Sequence, residues 1–135
     1  MTIQAIAPNG WKTAKGYAYA IRGADRLSVA GIVSTDPTTG ELLAPRDFAG
    51  QWSQIWRNLG EVLDAAGSSF QEVTTLRIYL TDLNAYREAV RDLGKPWRAA
   101  FGDHLPAITM VQVSGLVEPE AQIEVEAEAL VKEVG

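Results

Sequence analysis

The 135-residue chain contains no cysteine and one histidine, His104. Without thiolates and with a lone imidazole, neither a disulfide framework nor a structural zinc site can be built, and no metal is expected. No continuous apolar run reaches membrane-spanning length. The opening stretch MTIQAIAPNGWKTAK has neither a basic start nor an apolar core of signal-peptide length, so a cytoplasmic setting is expected. Positive charge is in the minority, with 12 Lys and Arg against 17 Asp and Glu and a net charge of -5. That balance, with no basic groove interleaved by aromatics, argues against nucleic acid as a partner and against ribonuclease activity. Repeats and low-complexity segments are also missing. What remains is 47% apolar and 21% charged, the composition of one globular domain over residues 1–135.

The hydrophobic periodicity orders the elements. YAYAIR (17–22) and RLSVAGIV (26–33) predict a hairpin across the turn GAD, and ELLA a short third strand after TDPTTGE. From Asp47 the period lengthens: Phe48, Trp52, Ile55, Trp56, Leu59, Val62, Leu63 and Ala66 mark one face of a helix, with Asp47 as N-cap and Gly67 as its stop. VTTLRIYL (73–80) returns to period two. Asp82 opens a second helical pattern through Leu83, Tyr86, Val90, Leu93, Trp97 and Phe101, which Gly94 and Pro96 should kink or interrupt. LPAITMVQVSGL (105–116) and QIEVEAEALV (122–131) close the chain as strands.

Two helices set between strands predict crossover units covering one face of a single sheet. Leu76, Ile78, Leu80, Ile123 and Val125 should lie beneath them. Thr75, Arg77, Tyr79, Gln112, Glu124 and Glu126 should line the opposite face, and Ile108 and Met110 are placed there too. A sheet face that mixes apolar and charged side chains suits a subunit contact with pockets at its edge, although a monomer can leave such a face in water.

The ordered set GYAYA, VAG, TTGEL, FAGQW, NLGEVLDAAG, IYLTDL, FGDHLPAITMVQVSGL and IEVEAEA resembles the Rid family, also called YjgF, of reactive-intermediate deaminases. The resemblance runs from about Tyr17 to Val131. It implies an α+β, chorismate-mutase-like fold, a mixed β-sheet with two helices packed on one face, and a homotrimer with clefts between subunits. It also implies cofactor-free hydrolysis of imines and enamines to a 2-keto acid and ammonia. Carried over by residue, Tyr17 matches the tyrosine near the family's first strand and Glu124 its last-strand glutamate, which makes these two the catalytic candidates. Ala30 takes the place of a serine ahead of Gly31. Ile108 falls where the deaminase members carry an arginine that grips the substrate carboxylate, and Met110 falls on a nearby cysteine position.

Losing that guanidinium removes several kcal/mol from the binding of a buried carboxylate, on the order of a broken charge pair. An apolar pocket wall of Ile108 and Met110, with Trp97 or Trp11, would then select a less anionic or larger small-molecule ligand. Arg77 either replaces the lost cation or pairs with Glu126 or Glu124 as structure. Glu124 is either a proton carrier whose pKa rises on burial or an ordinary surface carboxylate. Tyr17 donates to substrate or packs, and His104 is an acid–base group or loop scaffold. An enzyme acting on a reactive metabolite and a non-catalytic ligand-binding trimer both fit these residues.

Overall fold

The structure is a computed structural model that describes residues 2–132. Six strands form one sheet in the order β1-β2-β3-β6-β4-β5. In chain order these are β1 (Ile3–Ile6), β2 (Ala20–Gly23), β3 (Arg26–Ile32), helix α1 (Phe48–Ala65), β4 (Val73–Leu80), α2 (Leu83–Ala89), α3 (Gly94–Phe101), β5 (Ala107–Gln112) and β6 (Ile123–Leu130). All neighbours pair antiparallel except β4 and β5, which are parallel. The sheet is therefore mixed and the class α+β.

α1 forms where its period demands. The Asp47 carboxylate accepts from the Gly50 N–H at 3.0 Å, and Gly67, at φ +77°, takes the left-handed turn that ends the helix. Its stripe of Trp52, Ile55, Trp56, Leu59, Val62 and Leu63 is buried against Leu76, Ile78, Leu80, Ile123 and Val125 from the sheet. The expected second helix is two. Pro96 cannot donate a backbone hydrogen bond, and the chain places it in the first turn of α3, where no intrahelical acceptor is waiting. A 3-10 turn at Val90–Asp92 joins α2 to α3, and the Leu93 carbonyl at the break accepts from Trp52 Nε1 at 3.1 Å. Trp97 stacks on Phe101 with centroids 4.0 Å apart and meets Trp56 edge-on at 5.4 Å. Trp97 belongs to the α1–α3 packing and walls no sheet-face pocket.

Three other expectations shift. The hairpin is β2 and β3, turning at Ala24 with φ +54°, and Tyr17 lies ahead of it in a bend. ELLA contributes a single bridge, Thr35 to Leu42. β1, an edge strand too short to carry a pattern, was not anticipated.

The larger correction is the face of β5. Its register pairs Leu76 with Ile108, Ile78 with Met110 and Leu80 with Gln112. Residues paired in register point to the same side, so Ile108, Met110 and Gln112 lie on the helix side, and Thr109 and Val111 share the open face with Arg77 and Tyr79. Met110 packs against the core, and the Gln112 side chain accepts from the Leu83 N–H at the start of α2, 2.9 Å away.

Two fully buried amides on α1 secure the loops that flank β3 and β6. Asn58 Nδ2 donates to the carbonyls of Val33 and Thr35 at 3.2 and 2.9 Å. Gln51 Nε2 donates to the carbonyls of Ala44 and Glu120, and its Oε1 accepts from the Gln122 N–H at 2.8 Å. Substituting Asn58→Leu should cost about 2 to 4 kcal/mol in urea unfolding, because two buried carbonyls lose their donor. A loss below about 0.5 kcal/mol, the scale of a neutral surface change, would show that those carbonyls find water instead.

Candidate functional site

β6 runs between β3 and β4, with Ile123, Val125, Ala127 and Ala129 buried and Glu124, Glu126 and Glu128 on the open face. In register Tyr79 lies opposite Glu124, Arg77 opposite Glu126 and Thr75 opposite Glu128. The side chains do not meet their direct partners. Arg77 reaches diagonally to Glu128, with its Nη2 3.3 Å from the carboxylate, and the Tyr79 hydroxyl donates a hydrogen bond to Glu126. Each β4 side chain is thus displaced one step along β6. Among the described residues Glu124 is left without a hydrogen-bond or ion-pair partner.

On its other flank Glu124 lies over Gly31. A Cβ added there would stand 2.9 Å from both Cδ and Oε2 of Glu124, so the missing side chain is what gives the carboxylate its place. β3 changes register between Val29 and Ile32, and the Ala30 N–H donates to the Tyr19 carbonyl at 2.9 Å, which brings the segment ahead of β2 alongside. Burial raises the Glu124 pKa above the ordinary carboxylate value, and the negative charge of Glu126 raises it further. A partly desolvated carboxyl with no neutralising partner keeps its proton more readily than an ordinary surface carboxylate, which suits it to acid–base chemistry.

Beyond Gly31, Tyr17 is 58% exposed and meets Tyr19 edge-on at 5.7 Å, and Tyr19 meets Trp11 at 4.9 Å. The Tyr19 hydroxyl donates to the Lys12 carbonyl. Together these residues line a hollow of about 310 Å³ into which Lys12 and Lys15 also project. Sequence reasoning named Trp11 and Tyr17 but missed Tyr19 and both lysines. The available signal was the basic and aromatic mixture of GWKTAKGYAY, spread over a segment without periodicity.

The other candidates separate from this group. Arg77 is engaged with Glu128 and neither Glu124 nor Glu126. His104 Nε2 lies 2.7 Å from the Val73 carbonyl and fastens the loop before β5 to the start of β4. Ile108 is 45% exposed at the sheet edge, on the face opposite Glu124 and two strands away. Within the chain, Ile108 and Met110 therefore do not stand beside Glu124. Among the described residues no three His, Cys, Asp or Glu side chains converge as a metal site, and no helix is long and apolar enough to cross a membrane.

Two outcomes follow for Glu124. Placing a methyl at Gly31→Ala should push the carboxylate toward water and lower its pKa toward the ordinary value, read by NMR titration of the side-chain carboxyl carbon; an unmoved pKa would mean burial by Gly31 is not the cause. A raised folded pKa also means that the folded state holds its proton longer than the unfolded chain. This contribution to stability is complete below the ordinary value of 4.5 and is lost as pH rises through the folded value. Glu124→Gln should therefore flatten that decline in unfolding free energy, measured by urea denaturation across the range.

Comparison with known proteins fits this geometry. Residues 7–131 match the family model described as Endoribonuclease L-PSP. A RutC family protein of Pyrococcus horikoshii is 33% identical over 111 residues, covering 82% of this chain and 83% of that protein. A 2-iminobutanoate/2-iminopropanoate deaminase of Rattus norvegicus is 33% identical over 114 residues, covering 84% and 79%. Among solved structures, RidA from an Antarctic Psychrobacter superposes with a TM-score of 0.81 at 26% identity, covering 95% of this chain and 99% of that one. A Rid protein from Yersinia pestis gives 0.83 at 26% identity, covering 96% and 100%. The fold is the α+β, chorismate-mutase-like one that the resemblance implied, and the chain belongs to the YjgF/Rid/RutC family.

Proposed function

We propose that the protein is a cofactor-free hydrolase of an imine or enamine, with Glu124 carrying the proton. The observation that carries this reading is the isolation of Glu124: in a row whose other carboxylates are paired, it is half-buried and unpartnered, and burial raises its pKa. Imine hydrolysis needs such a group twice. Water adds to the imine carbon and gives up a proton, and the nitrogen must gain protons before it leaves as ammonia. A carboxyl group can do both, donating to nitrogen as the acid and taking a proton from water as the carboxylate. Tyr17 belongs to the segment that the Ala30 to Tyr19 hydrogen bond holds alongside β3 and would orient the substrate, and Gly31 leaves room beside Glu124.

The family's carboxylate-gripping arginine has no counterpart at Ile108, so the substrate differs from a small 2-imino acid of the relatives' kind. Lys12 and Lys15 are the cations bordering the Tyr17 hollow, and a longer substrate reaching them would not need the arginine. The same substitution favours the second reading, a trimer that binds a reactive metabolite without turning it over. A homotrimer is supported by β5, a free sheet edge on which Ile108 and Val111 are 45% and 42% exposed. Across a subunit contact, this edge would carry Ile108 toward a neighbour's Glu124. A cytoplasmic site of action agrees with the cysteine-free sequence.

Imines generated in situ, with ammonia release as readout, test the catalytic reading. Glu124→Gln should reduce turnover by about 10²-fold or more, as for loss of a general acid–base group, while leaving the sedimentation coefficient unchanged. Equal rates in both proteins would remove Glu124 from the chemistry, and no release above the uncatalysed rate would favour pure binding. Val111→Glu should dissociate the assembly in sedimentation, and an unaltered trimer would clear β5 of a role in the contact.

A further inference from the structure

On the helix-covered side of the sheet, remote from Glu124, a hollow of about 470 Å³ opens between α1 and α3. It exists because small residues face each other there. Gly60 lies so close to Phe70 that a Cβ would stand 3.1 Å from its ring, and Ala99 and Ala100 supply only methyl groups from α3. Trp56 and Phe70 make the aromatic lining. Trp56 is 3% exposed, and its indole Nε1 has no hydrogen-bond acceptor, a deficit that buried donors rarely carry. Arg57 and Lys95 stand at the mouth. Neither has a carboxylate within ion-pair distance among the described residues, where the one such pair is Arg77 with Glu128. The two cations border the same largely apolar lining.

We propose that this hollow is a second binding site, for a small aromatic carboxylate. The volume falls within the range of small-molecule pockets and matches one or two fused rings. An aromatic body lies against Trp56 and Phe70, and its carboxylate is held at the rim by Arg57 and Lys95. Charge complementarity selects an anion over a neutral or cationic ring. Because the site shares no residue with the Glu124 group, it is independent of the reaction proposed there.

Calorimetric titration with naphthoate and its neutral analogue naphthamide tests this. Wild type and Glu124→Gln should bind naphthoate alike. Arg57→Glu combined with Lys95→Glu should weaken naphthoate by about tenfold or more and naphthamide by less than about twofold, the signature of a charge contact. Ala99→Trp, which plugs the hollow from an exposed helix position, should weaken both. Absence of naphthoate binding to wild type, equal affinity after charge reversal, or loss of binding in Glu124→Gln would each overturn the proposal. The last result would place the probe at the sheet-face site. All variants keep α1 and α3 helix-compatible, and circular dichroism verifies their folding.

Discussion

The structure depends on the two-residue period of β6 while that strand is hydrogen-bonded on both sides. A central strand cannot rotate its side chains between faces without breaking two ladders at once. Ile123, Val125, Ala127 and Ala129 must stay under α1, and so Glu124, Glu126 and Glu128 must stay together on the other side. Three like charges on one ribbon repel, and the sheet answers with Arg77 and Tyr79 from β4. These supply two partners for three acids. The diagonal offset decides which acid goes without, and the gap at Gly31 gives that acid somewhere to lie.

The loops around the site are held from behind. Asn58 and Gln51 sit inside the apolar stripe of α1, where an amide is costly unless every polar atom is answered. Asn58 gathers the turn after β3, and Gln51 gathers the chain entering β6. Errors in either loop would shift Gly31 against Glu124. The core helix therefore acts as a jig for the open face, although none of its side chains reaches that face.

Much of this was legible in the chain. The alternation in QIEVEAEALV and the three- and four-residue steps of α1 are strong because one row in each is almost wholly apolar. β5 was misassigned because AITMVQ has no such contrast: both rows carry apolar residues, and an edge strand imposes little burial on either. Its face is set by the parallel crossover through α2 and α3, which periodicity within the strand cannot reveal. Arg77 was placed on the correct face, but its partner depended on the diagonal offset, a matter of strand twist and rotamer. His104 was open to an acid–base or a scaffold role because its acceptor, the Val73 carbonyl, is 31 residues distant in sequence. The partial pairing of the carboxylate row could be seen in outline; which member was left over could not.

The tryptophans divide into two populations by location. Trp52, Trp56 and Trp97 form a continuous aromatic contact between α1 and α3, and Trp11 stands apart beside Tyr19 and the Tyr17 hollow. Light absorbed by the first three is shared among closely coupled indoles, which makes their near-ultraviolet dichroism a gauge of helix docking. Emission from the fourth reports on the Tyr17 hollow. The protein thus carries separate native optical probes for its helix packing and for the Tyr17 hollow.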